Sequence, residues 1–266
     1  MILSAPPGTP WVALTLLAYA AAAAPVAAER AWPVRALHLG WLLHGVVLLV
    51  SAGVFDATQA GWRIGFAPVL SLTGWLVLLV HGIESHLLPV AGVRRALAVG
   101  GVVVVGLAWV FPGELPMVAH SSLAPLHWLL GLTSYGLFGA AVLHALMLDT
   151  TDRHLRQRQS HAPVTATFGL PLLRLERLTF RFVEAGFAVL TAALLLGVFS
   201  GQWRWDHKTV LSLLGWMTFA HLVAGRIWRG WRGRRATRWI YAGALLLLLA
   251  YVGSRFVMEV LLHRAQ

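Results

Sequence analysis

Apolar runs, each close to the length of a membrane-crossing helix, decide most of what this chain can fold into. Eight of them lie at roughly 10–28, 36–54, 67–86, 96–111, 124–148, 181–200, 207–226 and 238–258. A helix rising about 1.5 Å per residue needs roughly 20 such residues to cross about 30 Å of hydrocarbon. Lipid offers no partner to a bare peptide group, so runs of this kind fold as helices whose backbone bonds internally. Hydrophobic residues make up 58% of the 266 and charged ones only 12%, too few charges for a soluble domain. The expected fold is all-α: a polytopic membrane protein of eight transmembrane helices in one domain over 1–266. Pro112 ends the short fourth run. The first has Ala27-Ala28 at its end, as a cleavable signal would, but no Lys or Arg before it, and it reads as a true span.

Basic residues orient these spans. The loops after helices one, three, five and seven hold 16 of the 21 Lys and Arg, and the opposite face with both termini holds the other 5. The richer face is cytoplasmic by the positive-inside rule, which places both termini outside and makes 149–180 a cytoplasmic loop. Within that loop, 173–178 reads as an amphipathic lead-in to helix six. The net charge of +11 is thus mostly topology. The arginine cluster at 226–238 fits lipid headgroups beside the membrane, and nucleic-acid binding is not expected.

Cysteine is absent, so disulfides and thiolate metal sites are excluded, and any metallo-cofactor must rest on other ligands. Twelve histidines are available. The topology puts His120, His127, His207 and His263 at the outer face. His38, His86, His154 and His161 read as interfacial or loop residues, and His144, near the inner boundary, as the same. His44, His81 and His221 lie inside the inner half, where an imidazole is either a ligand or a hydrogen-bonding contact between helices. His38 and His44 sit about 120° apart on the helical wheel, and His81 and His86 about 140° apart. Any bis-histidine site must therefore bridge different helices. Glu184 and Arg255 read as the charges that join these histidines in or near the spans.

The outer face is richer still. His127-Trp128 opens helix five, with Ser134-Tyr135 on a nearby face. The short loop before helix seven reads Trp203-Arg204-Trp205-Asp206-His207-Lys208. If that loop is extended, both indoles point the same way. Aromatic faces, imidazoles and the cations Arg63, Arg204, Lys208 and Arg255 are what a porphyrin, its iron and its propionates require. An ordinary aromatic belt supplies the same tryptophans. Asp206 either caps helix seven or orients an imidazole.

The stretch Trp203-x-Trp205-Asp206-x-Lys208, with Trp216 and Phe219 beyond it, resembles the tryptophan-rich segment of the cytochrome c assembly family, the CcsA- and CcmC-like haem-handling membrane proteins. His127 with Ser134-Tyr135 is similar to the family's helix bearing its first external histidine, and Tyr251-x-Gly253 with His263 to the region of its second. Phe111-Pro112, His120, Glu176-Arg177 and Trp228-x-Gly230-Trp231-Arg232-Gly233-Arg234-Arg235 look closer to a compact eight-helix branch, YpjD-like or HemX-like. The resemblance is strongest over 105–260.

That resemblance implies a bacterial inner-membrane protein that binds haem, of b type, and handles or transfers it in cytochrome c biogenesis. Its implied partners are lipid, haem, apocytochrome c or other haem-pathway membrane proteins. Carried over, His127 is one axial ligand, with His263, or else His207 or His120, completing the iron. Trp203, Trp205 and Asp206 form the platform, and His44, with His81 or His221, an inner haem site. The loop lacks the family's leading Trp-Gly, and no sizeable external domain is present to dock an apocytochrome. Binding, transfer or regulation of haem is therefore expected rather than full haem-ligase activity. Paired-carboxylate, metalloprotease and phosphate-loop motifs are absent from the sequence, and no catalytic residue is expected. The competing readings are a regulatory scaffold for haem biosynthesis and a transporter-like protein without haem.

Overall fold

The computed structural model describes residues 8–25, 31–54, 63, 65–87, 93–114, 123–157, 172–200 and 203–262. They form eight helices: α1 (Thr9–Ala23), α2 (Trp32–Ser51), α3 (Phe66–Leu87), α4 (Arg94–Val110), α5 (Ala124–Gln157), α6 (Leu172–Phe199), α7 (His207–Arg229) and α8 (Gly233–Leu248). The path of α8 continues through two π-helical turns, Leu249–Gly253 and Val257–Leu261. The described residues contain no strand ladder. Six of the helices, α2, α3 and α5 to α8, are long and apolar enough to cross a membrane. α1 and α4 are shorter, at 15 and 17 residues.

Helix ends differ from the expected ones for local reasons. α1 stops at Ala23, short of 28, because Ala24 precedes Pro25 and adopts the extended backbone (ψ 137°) that proline imposes on its neighbour. α5 runs to Gln157 and α6 starts at Leu172. Both ends of the 149–180 stretch are thus helical, and 173–178 is the first turns of α6 itself. A helix can continue into the interface because its backbone is already bonded, and charged side chains are solvated there.

The described chain divides into two compact units. The first holds α1, α2, α4 and α3 as far as Gly82. Its centre is the fully buried ring of Tyr19, pressed between two glycines. A Cβ at Gly40 would lie 2.7 Å from the ring, and one at Gly101 2.8 Å. Small residues let helices approach this closely in a setting where packing, not water, drives association. Trp41 and Trp75 stack at 5.2 Å, and each indole N–H donates to the other's backbone carbonyl. Arg94 donates to the carbonyls of Ala22 and Ala24, closing the C-terminus of α1 with a cation.

The second unit holds α5 to α8 and the last turn of α3. Phe138 and Phe219 stack at 3.9 Å in its core, beside Val183, Leu190, Leu222, Ile240 and Leu247. Several polar groups inside it are paired. Asp149 accepts from the hydroxyls of Thr237 and Tyr241, each at 3.0 Å. Glu176 pairs with Arg226 at 2.7 Å, and that guanidinium also lies over the Phe180 ring. Gly230, in the left-handed region at φ 62°, ends α7 and turns the chain into α8.

Candidate functional site

His127 stands in the first turn of α5. Its Nδ1 lies 2.9 Å from the carbonyl oxygen of Ala193 on α6. A carbonyl only accepts, so Nδ1 carries the proton and donates it, leaving Nε2 with its lone pair. The ring has room there because Gly197, one turn along α6, has no side chain: a Cβ would stand 3.3 Å from His127 Cε1. The half-buried imidazole is therefore fixed in tautomer and orientation, with no described residue bonded to Nε2.

α6 ends and α7 begins at this same end of the second unit, joined through the tryptophan loop. Asp206 is the N-cap of α7: it is extended (φ −119°, ψ 173°), and its Oδ1 accepts the Thr209 N–H at 2.9 Å. The Thr209 hydroxyl donates to the Arg204 carbonyl at 2.6 Å and pins the loop. Partial burial works to raise the Asp206 pKa. The Thr209 N–H, with the charges of Lys208 and His207, outweighs it and holds the carboxyl below its usual value. Trp203 and Trp205 meet edge to face, 5.5 Å apart at 88°. Their ring planes are perpendicular, so they offer two differently oriented faces instead of one flat floor. Trp205 is 75% exposed. His207, the first residue of α7, is exposed. His120 and His263 lie outside the described residues.

The inner histidines have contrasting surroundings. His44, fully buried in the first unit, uses both nitrogens: Nδ1 is 3.1 Å from the Tyr19 hydroxyl and Nε2 2.8 Å from the Ser71 hydroxyl. Iron could bind it only if one of those contacts were given up. His81 is buried in the same unit. His221, in the second, is exposed and makes edge contacts to Trp231 and Trp239, at 4.9 and 4.8 Å. Arg235 covers the Trp231 face.

His144 is not the interfacial residue its position suggests. It is 1% exposed, with Glu84 and the Phe182 ring packed against it, and α5 continues for about 20 Å beyond it. Its Nδ1 donates to Ala140 O at 2.7 Å, and its Nε2 lies 2.9 Å from Oε2 of Glu84, itself 7% exposed. Glu84 is the charge that sequence reading passed over. The signal was a carboxylate in the last turn of an apolar run, three residues after His81. Among the described residues, no three His, Asp or Glu side chains gather to hold a bare metal ion.

Residues 65–262 match the family model described as Cytochrome C assembly protein. This chain belongs to the cytochrome c assembly protein family. It is similar to inner membrane protein YpjD of Escherichia coli K12, with 32% identity over 231 residues covering 82% of this chain and 83% of that protein. It is also similar to cytochrome c biogenesis protein CcsA of Synechococcus sp. CC9902, at 24% identity over 90% of this chain and 71% of the relative. The CcsA of Gloeobacter violaceus matches more narrowly, at 32% over 36% of this chain and 32% of its own length. No solved structure matches. Family membership and the apolar helices together make this a multi-pass membrane protein. The family match spans α3 to α8, so it takes in His81, Glu84, His127, His144, the tryptophan loop and His221. It leaves out α1 and α2, and with them His44.

Proposed function

We propose that this protein binds haem at the outer face of the bacterial inner membrane and handles or transfers it in cytochrome c biogenesis. One observation carries the reading. His127 gives its Nδ1 proton to a backbone carbonyl and keeps Nε2 free of protein partners among the described residues. Metal-ligating histidines are held this way, because the second hydrogen bond sets the tautomer and aims the lone pair. Family membership, which implies haem handling, and relatives named for cytochrome c biogenesis support the same conclusion.

Haem, if bound, would supply an iron that an imidazole nitrogen can hold, and His127 Nε2 is suited to hold it. His263, His207 or His120 would be the second ligand. Trp203 and Trp205 would lie against the ring, Arg204 and Lys208 would face its propionates, and Asp206 would hold the loop by capping α7. With no cysteine in the chain there is no thiol for a thioether link, which favours a haem held without covalent attachment, as b type is. The protein's part is binding and presentation, not bond formation: the residues at this site are ligands, ring contacts and a helix cap. In this arrangement all eight helices span the membrane, both termini lie outside, and the segment between α5 and α6 faces the cytoplasm.

Two measurements test the reading. The absorption spectrum of the detergent-purified protein, with and without reductant, should show a Soret band that His127→Ala abolishes and His38→Ala leaves intact. An unchanged band in His127→Ala, or none in the parent, sinks the site. Reporter fusions at Gln266 and near Arg158 should read outside and cytoplasmic; a cytoplasmic Gln266 overturns the orientation.

A further inference from the structure

We propose that Glu84 and His144 form a buried proton-binding site, holding one exchangeable proton between Glu84 Oε2 and His144 Nε2. The argument starts from hydrogen positions. Nδ1 of His144 already carries a proton, since its partner, 2.7 Å away, is the Ala140 carbonyl. Across the ring, Nε2 faces a carboxyl oxygen at 2.9 Å. Without a hydrogen between them, two lone pairs would face each other in a site that water does not reach. One proton resolves this. It bonds either to the carboxyl oxygen, leaving a neutral acid and a neutral imidazole, or to Nε2, leaving carboxylate and imidazolium. Transfer between these forms breaks one O–H bond and makes one N–H bond, with nothing oxidised or reduced.

Burial makes the pair consequential. The side chains are 9% and 2% exposed, and both residues lie within helices long and apolar enough to cross a membrane. Ionisable groups are rare there, because each is costly in lipid, and those that persist commonly mark proton or ion paths. The contact is also incomplete. Neither Oε2 nor Nε2 is in good hydrogen-bond alignment, and Glu84 Oε1 is buried with no partner among the described residues. The carboxyl thus keeps a second oxygen that no described residue uses.

Among the described side chains, the nearest titratable group on α3 is His81, one turn earlier. On α5 it is Asp149, which is already engaged by Thr237 and Tyr241. α6 presents Phe182, whose ring lies 5.2 Å from the imidazole, while its Arg181 and Glu184 are exposed. The pair is separate from the haem site proposed above, lying about 17 residues further along α5 than His127, some 25 Å at 1.5 Å per residue. Its test does not depend on haem.

The experiment is nuclear magnetic resonance of the full chain in micelles, labelled with 15N-histidine and 13C-glutamate. The His144 ring and Glu84 carboxyl signals are assigned by their loss in His144→Asn and Glu84→Gln. The parent should show His144 protonated at Nδ1, and the two signals should shift together with a common pH midpoint, as coupled sites do. In Glu84→Gln the amide can occupy the place of the protonated acid, so the fold should persist while the His144 titration changes its midpoint or disappears. If Glu84→Gln does not fold, the parent tautomer and the shared midpoint still decide. A His144 ring protonated at Nε2 alone, or independent midpoints for the two groups, overturns the proposal.

Discussion

His44 and His127 are both imidazoles on apolar helices, and the difference between them lies in how much of each ring the protein uses. Both nitrogens of His44 are taken by hydroxyls, from Tyr19 and Ser71. A hydroxyl can donate or accept, so a neutral imidazole is satisfied there in either tautomer. The result ties α1, α2 and α3 together and asks for nothing more. Only one nitrogen of His127 is used, and its partner is a carbonyl, which dictates the tautomer. One histidine is complete without a ligand; the other keeps a ring nitrogen that the proposed haem would use. Burial alone does not separate structural from ligating histidines in a membrane protein, but a count of ring nitrogens does.

The largest expected effect tests that contrast directly. His127→Ala should lose the Soret band and leave the melting temperature nearly unchanged, since it removes one half-buried ring. His44→Ala should do the reverse. It strands two buried hydroxyls, at about 1–3 kcal/mol each, and opens a cavity between three helices. Its haem content per folded molecule should match the parent. If His44→Ala loses haem while remaining folded, the comparison breaks, and His44 is an inner ligand after all.

Much of this was legible in the sequence. The helices were, because each apolar run is long enough to declare itself without help from its neighbours. His127 and the tryptophan loop stood out because their residue types are more than an aromatic belt requires. What stayed hidden was tertiary or torsional. The partner of His127 is a backbone carbonyl on another helix, which no residue type announces. The perpendicular setting of Trp203 and Trp205 depends on loop torsions that composition does not encode. His144 looked interfacial because the charges after 148 suggested that α5 had ended, whereas the helix carries them on to Gln157. Glu84 drew no notice in the sequence, because its partner lies on another helix.

A smaller effect sharpens the picture of the first unit, where Tyr19 both packs and hydrogen-bonds. Gly101→Ala would put a methyl group 2.8 Å from a ring that Gly40 already bounds on another side. The ring cannot shift without dragging its hydroxyl from His44. Overpacking of this kind costs about 1–3 kcal/mol, to be seen as a lower melting temperature. Tyr19→Phe keeps the ring and gives up the bond, so the double variant separates the two contributions. If Gly101→Ala melts like the parent, the packing around Tyr19 is looser than drawn, and the rigid setting of His44 goes with it.

The smallest effect lies at the open end of the second unit, where Asp206 holds the tryptophan loop onto α7. Asp206→Ala should cost about 1 kcal/mol, the usual value of an N-cap. Asp206→Asn keeps an accepting oxygen and should cost less. The two also differ in pH dependence. The folded carboxyl is held below its usual range, with the Thr209 N–H bond and nearby cations outweighing partial burial. A depressed folded pKa stabilises the fold above the unfolded value, about 3.9 for aspartate, and that stabilisation is lost as pH falls through the folded value. The melting difference between parent and Asp206→Asn should therefore hold steady from neutral pH to about 5 and shrink below about 4. A difference that instead grows on acidification would mean that the carboxyl is better stabilised protonated, and that its role is to meet a ligand or an imidazole and not to cap the helix.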